Sequence, residues 1–116
     1  MQYILLIYHN EQQWKGVSEA ERGKVMAEYG AFTEAIVKSG QYRAGDELQP
    51  TAMATTVRVR DGKTMVTDGP FAETREQLGG FYLVEAKDLD EAAALAARIP
   101  TARDGSIEVR PIEPMK

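Results

Sequence analysis

The order of hydrophobic periodicities along the 116-residue chain predicts an α+β fold, with two helices packed on one face of an antiparallel sheet and a β-hairpin added between its halves. Three observations carry this. Apolar segments at 2–8, 80–85 and 106–111 read as strands, amphipathic segments at 18–39 and 88–99 read as helices, and an Asp-Gly pair at 61–62 joins two short β-branched runs. The order strand, helix, strands, strand, helix, strand fits a ferredoxin-like sandwich, built as one domain over residues 1–116.

Residues 2–8 are apolar in both alternating sets, Tyr3, Leu5 and Ile7 on one side and Ile4, Leu6 and Tyr8 on the other, so the strand is expected to be central with both faces covered. Ser18 followed by Glu21 is a capping-box signature. From there Val25, Tyr29, Phe32 and Ile36 share one helical stripe, and Gly40 suits the left-handed residue just past the helix end. A short extended piece follows at 42–48. The turn at Asp61-Gly62 tolerates the positive φ angles of a type I′ turn and sets Val57 opposite Val66, Val59 opposite Thr64 and Arg60 opposite Lys63. Arg58 and Arg60 then share the face opposite the valines, where solvent is expected. Phe81 and Leu83 alternate with Tyr82 and Val84 in a second strand that is apolar on both faces. Asp88 or Asp90 can cap the second helix, whose stripe runs through Leu89, Ala92, Leu95, Ala96 and Ile99 until Pro100 stops it. Two helices cover only one face of a sheet. The second face is therefore expected to pack on another copy as a homodimer, in a dimeric α/β barrel arrangement.

With no cysteine, the chain has no disulfide, thiolate nucleophile or cysteine-bound metal, and a reducing cytoplasm is the expected compartment. One histidine cannot build a nitrogen-rich metal site, so no metal or cofactor is expected. A formal charge of −4 without a concentrated basic face argues against nucleic acid. No apolar stretch approaches the length that crosses a bilayer, so no membrane partner is expected either.

Residues 67–82, TDGPFAETREQLGGFY, hold Asp68, Gly69, Pro70, Phe71, Ala72 and Glu73 in a run that resembles the signature of the DGPF branch of the YCII-related family. The opening YILLIY, the helical AFTEAIVKSG, the hairpin ATTVRVRDG and the closing SIEVRP are also similar to that family, so the resemblance covers nearly the whole chain. Arg75 stands where the family commonly has lysine. The resemblance implies a dimeric ferredoxin-like fold, usually bacterial. It also implies two further functional classes: YCII-like enzymes with lyase or hydrolase acid–base chemistry, and regulatory proteins linked to extracytoplasmic-function sigma factors. The histidine of the YCII-like enzymes lies on the first helix, and Tyr29 occupies the matching position here.

The residues themselves nominate a small-molecule site. Asp68, Glu73 and Arg75 lie in a loop more polar than a connection requires, and such loops often carry binding groups. Tyr29, Asp46 or His9 is expected to border the same cleft near the first helix, His9 being the one imidazole available to move protons. Each has an ordinary alternative: Asp-Gly and Gly-Pro are turn dipeptides, Phe71 could plug the core, Tyr29 could be a core residue, and Trp14 could anchor a loop or line a pocket. Gly79-Gly80 reads as a bulge or a close backbone approach.

Overall fold

A computed structural model of the protein describes residues 1–114. Strand β1 (Gln2–His9) is central, pairing antiparallel with β5 (Gln77–Glu85) on one side and β6 (Ser106–Pro111) on the other. Strand β2 (Tyr42–Glu47) pairs with the outer edge of β5, which gives the order β2-β5-β1-β6. This is the ferredoxin-like topology that the sequence predicts. The two apolar sets of β1 separate as alternation requires: Tyr3, Leu5 and Ile7 are buried under the helices, whereas Ile4, Leu6 and Tyr8 are only half-buried on the open face.

Three helices accompany the sheet: α1 (Glu11–Lys15), α2 (Glu19–Lys38) and α3 (Leu89–Ala97). The Ser18 hydroxyl accepts the Glu21 N–H at the start of α2, and Gly40 takes φ 80° just beyond its end. Phe32 and Ile36 drive α2 into the core, where Phe32 meets Tyr82 edge to face at 5.2 Å. Asp88 caps α3 through the Glu91 N–H, and the alanines of this helix let it approach the sheet closely, with Ala92, Leu95 and Ala96 buried. Leu89 departs from the predicted stripe. It lies in the first turn and stays 56% exposed, so the buried stripe begins at Ala92. The centre of the core is formed by Leu5, Ile36, Val84 and Ile99.

Strands β3 (Thr55–Arg60) and β4 (Lys63–Asp68) form a separate two-stranded sheet in the predicted register, turned by Asp61 at φ 52° and Gly62 at φ 74°. The valine face of this hairpin is uncovered, with Val57, Val59 and Val66 at 60%, 59% and 66% exposed. Arg58 is not fully solvated as expected, since its guanidinium reaches the Phe71 carbonyl at 3.4 Å. Phe71 itself is 77% exposed, which removes the alternative that it plugs the core. The reason is local. Gly69, at φ 97°, donates its N–H to the Ala54 carbonyl and accepts the Thr56 hydroxyl on its own carbonyl, tying the segment to the base of the hairpin.

Candidate functional site

A cavity of about 430 Å³ opens between α2 and the helix-facing side of the sheet. Ile7 and His9 of β1 and Tyr82 of β5 form its floor, Tyr29 and Thr33 of α2 its roof, and Trp14 of α1 stands at one end. The floor depends on a β-bulge. The β1–β5 register shifts between Ile7 and Tyr8, leaving Gly79 as the extra residue. A Cβ on Gly79 would lie 2.5 Å from His9 Nε2, so the imidazole occupies the space that a side chain would need there. The Gly79-Gly80 pair is thus both a bulge and a close approach.

The roof is ordered by hydroxyls. Thr33 Oγ1 donates to the Tyr29 carbonyl at 2.9 Å, which uses its single proton, so the Tyr82 phenol at 2.6 Å is the donor to Thr33. The Tyr29 phenol pairs with Thr101 Oγ1, carried by the turn Pro100–Arg103. Burial pushes both phenols above their ordinary range, opposed only in part by these hydrogen bonds. Both stay neutral at physiological pH and serve as hydrogen-bonding groups and apolar walls, not as bases.

Helix α1 is pinned at the mouth. Asn10 Oδ1 accepts the N–H groups of Gln12 and Gln13. The Glu11 carboxylate accepts the backbone N–H and hydroxyl of Thr51, each at 2.9 Å, and the Glu11 N–H reaches Gln77 Oε1. Trp14 meets His9 edge to face at 6.4 Å, while Arg22 donates to the Trp14 carbonyl and lays its guanidinium 4.9 Å from the indole centroid. Of the two roles open to Trp14 in the sequence, the structure gives it both: it anchors a loop and lines the cavity.

Of the six residues nominated by the sequence, His9, Tyr29 and Asp46 border this cavity, while Asp68, Glu73 and Arg75 are exposed and lie outside its lining. The two groups do not share this cavity: the start of the segment after β4 is held at the hairpin base, where Gly69 bonds to Ala54 and Thr56. Asp46 needs a further correction. It pairs with Phe81, out of phase with Gly45 and Tyr82, so ladder alternation sends its side chain to the open face and leaves its backbone at the cavity. Glu47, opposite Gly80, takes the helix-facing side in its place. The sequence held a signal for Thr33, four residues after Tyr29 on the same helical face, but none for Thr101, which arrives from a turn distant in sequence.

Fold and site together define a small ferredoxin-like protein with a cavity of about 430 Å³, partly walled by aromatic rings, between its long helix and its sheet. The chain belongs to the YCII-related domain family, whose model matches residues 1–116. It is also similar to an uncharacterized protein of Rhizobium meliloti (strain 1021), with 41% identity over 114 residues covering 97% of this chain and 92% of the relative. Among the described residues, no group of three histidine, cysteine, aspartate or glutamate side chains converges as a metal site, and no helix is long and apolar enough to cross a membrane.

Proposed function

We propose that this YCII-related protein binds a small organic molecule in the cavity between α2 and the sheet. The observation that carries this reading is the cavity itself. Its volume of about 430 Å³ falls within the range of about 300–1,000 Å³ common to ligand pockets, and its lining combines aromatic walls with a few convergent polar groups, as such pockets do. Binding is favoured over acid–base catalysis because the residue at the YCII-type histidine position, Tyr29, is held as a neutral phenol. The run Asp68 to Glu73 supports placing the chain in the DGPF branch, where the left-handed Gly69 gives the start of the motif a turn-forming role. The apolar open face of the sheet, with Ile4, Leu6, Phe81 and Leu83, supports a homodimer as the working form.

The test is a screen of small aromatic fragments by protein-observed NMR. Hits should shift the signals of His9, Trp14 and Tyr82 and weaken in Trp14→Ala, a change at the half-buried cavity mouth. An absence of hits, or hits that move only the Asp68 to Arg75 segment, would refute the cavity as the site.

A further inference from the structure

The charge of the cavity lining is one-sided. It includes the side chain of Glu47 but no lysine or arginine, and Asp46 contributes only backbone. Glu47 lies opposite Gly80, which is itself paired with the buried Ile7, so its carboxylate is on the helix-facing side of the sheet. Glu47 takes part in none of the ion pairs among the described residues. Two arginines near its rim are already engaged: Arg22 by the carbonyl and ring of Trp14, and Arg103, beside the adjoining cleft, by both carboxylate oxygens of Glu28. An anion entering here would give up its hydration beside a carboxylate, with no lysine or arginine in the lining to compensate it.

The rings point to the opposite charge. Trp14, Tyr29, Tyr42 and Tyr82 all line the cavity, and Tyr42 and Tyr82 meet edge to face at 6.4 Å. Aromatic faces attract ammonium groups, and the Arg22 guanidinium over Trp14 shows one of these rings already receiving a cation. Building on the ligand-binding reading above, we propose that the cavity takes an organic amine in its protonated form, with its apolar body against the tyrosines and its ammonium group directed to Glu47.

The experiment uses phenethylamine, phenethyl alcohol and phenylacetate as a matched cationic, neutral and anionic series. Trp14 is the single tryptophan of the chain, so its fluorescence reads binding at the cavity mouth directly. The amine should bind about tenfold more tightly than the alcohol, as expected for a cation near aromatic faces and a carboxylate, with phenylacetate weakest. Exposed Glu47 can be replaced without disturbing the core, and Glu47→Gln should lower the affinity for the amine to that for the alcohol while leaving the alcohol unchanged. If the alcohol or phenylacetate matches the amine, or if the preference survives in Glu47→Gln, the amine assignment is wrong and the cavity remains a binding site. If no member of the series binds, the amine assignment also falls, and the fragment screen decides the broader reading on its own.

Discussion

At the scale of single residues, Tyr29 shows how one side chain can look like core and still shape a site. Its ring belongs to the apolar stripe of α2, yet its phenol pairs with Thr101 and borders the cavity. Tyr29→Phe should cost about 1 kcal/mol near neutral pH, the usual net value of one hydrogen bond. The pH dependence follows from burial, which raises the folded-state pKa of the phenol above its unfolded value. The folded chain therefore keeps this proton at a pH where the unfolded chain has lost it. The stabilising contribution is complete below about pH 10 and is lost as pH rises through the raised folded value. Thermal melts of the two proteins should accordingly converge in alkaline buffer. A gap that stays constant or widens there would show that the phenol does not titrate as its burial requires.

At the scale of elements, α2 carries two glycines where a helix prefers alanine, and they separate stability from cavity shape. A Cβ at Gly23 or Gly30 meets nothing within 4 Å, and both positions are helical. Gly23→Ala and Gly30→Ala should each stabilise the fold by about 0.5–1 kcal/mol through the lost entropy of the unfolded chain. Only Gly30 lines the cavity, so only Gly30→Ala should alter the affinity of a cavity ligand. Urea titration and fragment binding on the same two variants check both halves, and destabilisation by Gly23→Ala would contradict the open surface seen there. The sequence made α2 legible because its cap, stripe and terminal glycine agree, and it made the hairpin register legible because Asp61-Gly62 permits one tight turn. Helix α1 was not legible, since five residues hold too little periodicity and its anchors, Thr51 and Gln77, are far away in sequence. The site was legible in part for the same reason. His9 and Tyr29 lie on elements whose faces can be counted, whereas Asp68, Glu73 and Arg75 follow a turn whose composition announces a bend but not its direction.

At the scale of the whole molecule, one chain leaves two apolar surfaces without a partner. The open face of the sheet presents Ile4, Leu6, Phe81 and Leu83, and the hairpin presents Val57, Val59 and Val66 beside two free strand edges. The dimensions, 47 × 47 × 19 Å, and the radius of gyration, 16.2 Å, describe a thin body with a projecting arm, whereas a compact chain of this length would have a radius of about 13 Å. A second copy related by a two-fold axis would cover the sheet face with its own equivalent, which self-complementary apolar surfaces permit. Light scattering should therefore report twice the chain mass. Leu6 is the most telling position to change, because it pairs with Phe81 in the middle of the open face while its neighbours Leu5 and Ile7 hold the core on the other side. Leu6→Lys would place a charge at the centre of such an interface and leave the core intact, so it should yield a folded monomer with an unchanged circular dichroism spectrum. Wild-type protein that is monomeric at micromolar concentration would remove the sheet face as an interface. A Leu6→Lys protein that remains dimeric would move the contact to the hairpin, where Val57→Lys or Val66→Lys should then dissociate it.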